Sequence, residues 1–291
     1  MKHPTSVTAL LLLALCIFSW LQTSISQEVE VGEDVPLEVE MEVDDEREFD
    51  YIKGSNKGPE YWGDLKEEWA ACKKGEMQSP IDMSNERVTI VREARDIRRK
   101  YFPSPAIIKN RGHDISIQWP DLKAGRIRIN GTRYLLQQGH WHFPSEHTIN
   151  GRRFDLELHM VHITSDPQAK YKIAVITVLY KIGLPDPFLS KLIGNITTMN
   201  DQLEEKTMGV IDPNEIKARG REYYRYIGSL TVPPCSEGVI WTIYKRLSTV
   251  SRDQVKALRL AVHDYAEENA RPVQALNDRT IKLYSKHDPP K

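Results

Sequence analysis

An α+β fold that is mainly β, built on a large sheet with a few peripheral helices, is what the sequence predicts. Segments rich in alternating or β-branched apolar residues recur through the middle of the chain, Gly, Pro, Asn or Asp stand between most of them, and stretches with helical periodicity are few. The strand segments are Ile115 to Trp119, Arg126 to Asn130, Tyr134 to Phe143, Phe154 to Thr164, Tyr171 to Ile182 and Gly238 to Leu247. Ser251 followed by Gln254 reads as a capping box that starts a helix, on which Val255, Leu258 and Val262 share one face. Pro187 to Met199 reads as a second helix and Pro213 to Ala218 as a shorter one. The chain has 291 residues and 40% hydrophobic content. That suffices for one large domain and not for several, since single cores run to roughly 250–300 residues.

Acidic and basic side chains number 41 and 40, which excludes a globally basic nucleic-acid binder, but the near-neutral total is a cancellation. Lys2, the apolar run Ala9 to Leu21 and the small-residue pattern Ser24-Ile25-Ser26 read as a secretory signal peptide over residues 1–26, with an apolar core too short for a stable membrane anchor. From Glu28 to Asp50 there are twelve Asp or Glu and one Arg; setting these and Lys2 aside leaves 38 basic and 29 acidic residues from Tyr51 onward. Val or Leu alternates with Glu in parts of the acidic segment, which fits an edge strand, but the like charges and few aromatics favour disorder. The expected organisation is a signal over 1–26, an acidic segment over 27–50 and a basic domain over 51–291. Cys16 would leave with the signal, so Cys72 and Cys235 remain, most simply as one disulfide in a secreted chain. Asn130-Gly131-Thr132 and Asn195-Ile196-Thr197 are glycosylation sequons, usable only in the secretory pathway.

Of nine histidines, six (His113, His140, His142, His147, His159 and His162) fall within fifty residues. His140-Trp141-His142 lies in a strand-like run, so both imidazoles point to one face, which Gln138 shares. Glu157, His159 and Val161 share one face of the next strand, and pairing the two strands can bring the three imidazoles together. Three histidines with an open fourth position are the ligand set of a catalytic Zn²⁺. Gln138 and Glu157, each two residues before a ligand candidate, sit where they can accept the outer ring N–H. Alone, an HxH pair reads as two ordinary strand histidines; the ExH one strand later keeps the metal reading level with that one.

Several ordered motifs then resemble the α-class carbonic anhydrases, in their plant-type branch. They are Gln137-Gln138-Gly139-His140-Trp141-His142, Pro144-Ser145-Glu146-His147-Thr148-Ile149-Asn150-Gly151, Glu157-Leu158-His159-Met160-Val161-His162, Gly58-Pro59-Glu60-Tyr61-Trp62, Gln78-Ser79-Pro80-Ile81-Asp82, Gly228-Ser229-Leu230-Thr231 with Pro233-Pro234, and Arg271-Pro272-Val273-Gln274 with Asn277 and Arg279. The resemblance runs from Phe49 to about Leu283 and implies the large twisted mixed sheet of that family. It implies Zn²⁺ on His140, His142 and His159, and reversible hydration of CO₂ to bicarbonate and a proton by a hydroxide on that zinc. Thr231 would accept a hydrogen bond from the hydroxide and donate its own to Glu146, so orienting the hydroxide, and Val161, Val175, Leu230, Val239 and Trp241 would form the wall against which CO₂ rests. His113 matches the proton-shuttle position, and Tyr51 a tyrosine that orders water on the proton path. His147 and His162 are read as structural. Ser79-Pro80 and Pro233-Pro234 match positions with cis peptides.

Four positions depart from the commonest family pattern. Val232 in the substrate pocket removes a hydroxyl, Ile163 and Phe143 replace tryptophans, and Arg111 replaces an asparagine. Arg111 is expected to bring positive charge to His113 and lower its pKa. The alternative function is a storage or defence protein with weak or no hydratase activity. Expected partners are CO₂ and bicarbonate and no nucleic acid, for a monomer or homodimer. The expected location is the apoplast, or the chloroplast reached through the secretory route.

Overall fold

The computed structural model describes residues 42, 45–92, 97–199, 203–264 and 266–285. The apolar alternation becomes a mixed sheet of 13 strands among the described residues, and its centre carries the histidines. Across the sheet the order is Glu205–Ile211, Ser104–Asn110, Ile115–Gln118, Thr132–His142, Leu156–Ile163, Ile173–Ile182, Glu237–Tyr244, Tyr223–Ser229, Ile281–Tyr284 and Val88–Val91. Ile97–Tyr101, Gly125–Ile129 and Ser248–Val250 branch off this path. Most neighbours are antiparallel, but Ile173–Ile182 runs parallel to Glu237–Tyr244 and Ile281–Tyr284 parallel to Val88–Val91. Asp82–Met83 and Thr148–Ile149 form a separate two-stranded ribbon.

Leu156–Ile163 is buried at every position and Ile173–Ile182 at all but its last two, so both faces of the central strands are covered. One face packs Leu136, Leu158, Met160, Ala174, Ile176 and Val178 into the main core with Phe188, Leu189, Leu192 and Leu258. Those last residues belong to the helices Pro187–Ile196 and Arg252–Ala261. Asp186 caps the first through a 2.8 Å bond from the Leu189 N–H, and the capping box of Ser251 and Gln254 starts the second as the sequence predicts. The third expected helix shrinks to the 3₁₀ turn Pro213–Glu215. The histidines occupy the other face.

All six predicted strands form, with ends displaced by at most three residues. Asn130-Gly131 closes the hairpin between Gly125–Ile129 and Thr132–His142 as a two-residue turn, both residues at positive φ, 48° and 89°. Asn130 is exposed there, whereas Asn195 is half-buried in the last turn of its helix. Cis peptides occur at Ser79-Pro80, Phe143-Pro144 and Pro233-Pro234.

The acidic segment requires a correction. The signal and residues 27–41 lie outside the described residues, but Asp45–Asp50 are ordered. Glu46–Glu48 form a 3₁₀ turn capped by the Asp45 carboxylate. Phe49 packs edge-on against Trp62 at 4.9 Å and Trp69 at 6.1 Å, and it is only 1% exposed. One buried aromatic outweighs the local charge repulsion, so the folded unit begins upstream of Tyr51. Among the described residues no helix is long and apolar enough to cross a membrane.

Candidate metal centre

Strand pairing places the site. His140 stands opposite His159, Gln138 opposite Val161 and His142 opposite Glu157, with a bulge between Leu136 and Gln138. The bulge moves Gln138, His140 and His142 out of the alternation of Tyr134 and Leu136, which face the main core, and onto the face of His159. All three imidazoles are buried, with ring centroids 4.7 to 5.1 Å apart.

The outer nitrogen of each ring faces an oxygen. His140 Nδ1 lies 3.1 Å from Gln138 Oε1, His142 Nδ1 2.8 Å from the Asn269 carbonyl, and His159 Nε2 2.6 Å from Glu157 Oε1. These oxygens only accept, so each outer nitrogen carries the hydrogen and each inner nitrogen presents a lone pair. His142 Nε2 has no hydrogen-bond partner, and His140 Nε2 and His159 Nδ1 stand 3.2 Å apart, lone pair to lone pair. That arrangement is repulsive unless a cation lies between them. Zn–N bonds of about 2.0–2.1 Å in a tetrahedron put neighbouring nitrogens about 3.4 Å apart, so the donor set fits Zn²⁺. Burial holds His140 well below the usual imidazole range and His159 down to about 4, which keeps both in the neutral form a metal requires. His142 moves upward, because Glu146 and Asp114 outweigh the effect of burial.

Glu157 supports the centre from behind. Its Oε1 accepts from both His159 and His147 Nδ1, each at 2.6 Å, and its Oε2 accepts from the His147 N–H at 2.8 Å. His147 Nε2 accepts from the Tyr226 hydroxyl at 2.7 Å, and that hydroxyl accepts from Ser79 Oγ at 2.7 Å. His147, Glu157 and His159 also lie close enough to share a metal, but every nitrogen of His147 is already bonded, so this group is a support. His162 is likewise structural, with Nε2 accepting from the Tyr101 hydroxyl at 2.8 Å.

Glu146 and Thr231 are both buried, and Glu146 lies beside His142 and His159. The Arg271 N–H donates to Glu146 Oε1 at 2.9 Å, which leaves Oε2 aimed at His142 Nε2, 3.6 Å away. Glu146 Oε2 and Thr231 Oγ1 have no hydrogen-bond partner, so the two are not bonded to one another. Val161, Val175 and Trp241 lie in register across three strands on this face, with Val239 two residues from Trp241. Leu230 is buried with them. Val232 packs into the small cluster of Phe49, Trp62, Trp69, Cys72 and Cys235. Cys72 and Cys235 are disulfide-bonded, tying the Thr231 loop to the N-terminal part of the domain.

His113 is buried, its Nδ1 2.7 Å from Asp264 Oδ2 and its Nε2 2.6 Å from the Phe49 carbonyl. Tyr51 meets it edge-on at 5.5 Å, and burial pushes the Tyr51 phenol well above its usual range. The expectation that Arg111 brings uncompensated positive charge to His113 is not met. Arg111 is fully buried, bonded to both oxygens of Asp114, 2.9 Å from Glu42 Oε2 and 3.4 Å from Glu46 Oε1. Burial, with Asp114 beside it, holds the Glu46 carboxyl well above the usual carboxylate range.

Three contributors escape the sequence reading: Asn269, Arg271 as a backbone donor, and Glu42. Asn269 meets His142 and Arg271 meets Glu146 through main-chain atoms, which no residue identity advertises, although Arg271 lies in a quoted motif.

Comparison with known proteins accords with this geometry. The model of the eukaryotic-type carbonic anhydrase family matches residues 57–285. Alpha carbonic anhydrase 7 of Arabidopsis thaliana is 56% identical over 84% of this chain and 87% of its own length. Carbonic anhydrase Nec1 of Nesocodon mauritianus is 53% identical over 85% and 89%. A crystal structure of dioscorin complexed with ascorbate superposes with a TM-score of 0.77 at 42% identity, covering 83% of this chain and 99% of that one. A histidine triad on the central strands of a mixed sheet, a match across most of the domain and identities above one half to plant α-carbonic anhydrases lead to one conclusion: the chain belongs to the eukaryotic-type carbonic anhydrase family.

Proposed function

We propose that the protein catalyses the reversible hydration of CO₂ to bicarbonate and a proton, with Zn²⁺ held by His140 Nε2, His142 Nε2 and His159 Nδ1. One observation carries the reading: the inner nitrogens of three buried histidines converge beside Glu146 Oε2, a buried oxygen that also lacks a partner. Structural polar groups are satisfied when buried, and bare acceptors gathered at one buried place call for a ligand. When bound there, Zn²⁺ supplies a Lewis acid that makes water nucleophilic at neutral pH, a property for which carbonic anhydrase is itself the standard case.

The chain's own residues divide the remaining work. Arg271 fixes Glu146 by its N–H and leaves Oε2 without a partner, so Oε2 is open to the Thr231 hydroxyl once the two close on one another. Having donated there, Thr231 Oγ1 can only accept, and so selects the orientation of an attacking O–H. Val161, Val175, Leu230, Val239 and Trp241 offer CO₂ an apolar surface that does not compete for hydrogen bonds. Val232 gives the pocket no hydroxyl. His113 receives the proton released toward the surface, and to do so it exchanges its contact with the Phe49 carbonyl or Asp264; Tyr51 lines that route.

The disulfide supports passage through the secretory pathway, and exposed Asn130 is the better placed of the two sequons. The similarity to dioscorin favours a second reading, a storage or defence protein that keeps the fold with weak hydration activity. Stopped-flow CO₂ hydration, measured together with zinc content, separates the two. Turnover that scales with bound zinc and vanishes in His140→Ala is the expected result. Full zinc occupancy without turnover would establish the second reading in its place.

A further inference from the structure

We infer that Glu42, a residue of the acidic segment upstream of the family match, is a positioning residue of the metal centre, acting on His140 through Gln138. The inference rests on the zinc reading above and adds to it a contact that none of the recognised motifs contains.

The argument turns on which way the Gln138 amide faces. Its oxygen and nitrogen are nearly equivalent in shape, and only the neighbours decide their placement. Gln138 Nε2 donates to Glu42 Oε2 at 3.1 Å, and a carboxylate cannot donate in return. Gln138 Oε1 is therefore turned to His140 Nδ1 at 3.1 Å, the hydrogen is held on Nδ1, and Nε2 is left as the bare nitrogen that faces the centre. With the amide reversed, two N–H groups would meet, or the His140 hydrogen would shift to Nε2 and block the metal. Glu42 thus sets the tautomer of a ligand two contacts away, and its Oε2 lies 3.6 Å from His140 Nδ1, where its charge favours that hydrogen.

Glu42 is itself held. Its side chain is 4% exposed, and Arg111, fully buried, donates to the same Oε2 from 2.9 Å. Arg111 is locked by Asp114, and the Glu46 N–H donates to the Arg111 carbonyl at 2.8 Å. The acidic segment therefore enters the domain on a guanidinium anchor and ends on the support of the metal ligand.

The test uses the full secreted chain as wild type, Glu42→Ala, Glu42→Gln and, as a control in the same turn region, Glu48→Ala, whose carboxylate is exposed and pairs with Lys66. Zn²⁺ release to a chelator and the visible spectrum of the Co²⁺-substituted protein are measured, with thermal unfolding alongside. Glu42→Ala should release zinc about tenfold faster, the lower end of what loss of an outer support costs, and should alter the Co²⁺ bands. Glu42→Gln, which keeps an oxygen for Gln138 and Arg111, should recover most of both, and Glu48→Ala should match wild type. An unchanged release rate and spectrum in Glu42→Ala overturns the inference. So does faster CO₂ hydration in that variant, which would mean that the segment obstructs the site. A wild type that binds no metal refutes the zinc reading itself, a distinct result from either.

Discussion

Replacing Glu157 by Gln removes one charge and one acceptor from a carboxylate that no solvent reaches, and its cost can be worked from three contacts. Glu157 accepts from His147 Nδ1, His159 Nε2 and the His147 N–H. Against the opposing effect of burial, the two histidines hold the carboxyl well below its usual range. A glutamine offers one oxygen. If that oxygen serves the two imidazoles, the new NH₂ points at the His147 N–H, and two buried donors are left facing each other. Each unsatisfied donor costs about 1–3 kcal/mol, so the loss of stability should be about 2–6 kcal/mol. Transfer of the His147 hydrogen to Nε2, with reversal of the Tyr226 hydroxyl, is the available relaxation and sets the lower end. Because the same oxygen orients His159, zinc affinity should also fall about 10–100-fold. Urea unfolding followed by tryptophan fluorescence measures the first quantity, and competition with a chromogenic chelator the second. A variant within about 0.5 kcal/mol of wild type and within about twofold in zinc affinity would refute the claim that this carboxylate carries the back of the centre.

Asp114 is held down to about 2, where Arg111 prevails over burial, so its contribution of about 2 kcal/mol is fully present above its ordinary value of 3.8 and is lost as pH falls toward 2. Asp114→Asn should accordingly be less stable near neutrality and show a flatter stability profile between pH 4 and 2 in acid-unfolding curves. Replacing both Cys72 and Cys235 by Ser opens a loop of sequence separation 163 and should lower the unfolding free energy by about 5 kcal/mol on the chain-entropy account, read as a lower urea midpoint. Thr231→Val removes a hydroxyl that bonds nothing in the fold, so stability should change by less than about 0.5 kcal/mol while CO₂ hydration drops by about two orders of magnitude. Loss of stability with intact turnover would make that hydroxyl structural.

Period-two alternation made the metal centre legible. His140 and His142 are two apart, His159 follows Glu157 by two, and antiparallel pairing needed only to set His140 opposite His159, which it does. What alternation does not reveal is the bulge between Leu136 and Gln138, without which Leu136, which packs in the main core, and His140 would face the same way. The edge strands were hidden for a different reason. Glu205–Ile211 has no buried residue and three of the five residues of Ile97–Tyr101 are Arg or Lys, so neither shows an apolar face of its own. Their place in the sheet comes from pairing with Ser104–Asn110 and Gly125–Ile129. Main-chain partners were hidden more completely, since the Asn269 carbonyl reaches His142 across 127 positions and any residue there has a carbonyl.

Charge was the least legible property, because a sequence assigns charge to a residue and burial decides where it is felt. Arg111 reads as an added cation beside His113. In the fold one guanidinium faces Glu42, Glu46 and Asp114, and even with Glu46 protonated the cluster carries more negative than positive charge. Its net effect on the nearby imidazoles is thus opposite in sign to that of arginine alone, and it favours a cation among His140, His142 and His159. The acidic segment and the basic domain cancel in the sum over the sequence. At Arg111 they meet in space, where charge from the segment balances a buried arginine that would otherwise repel the metal.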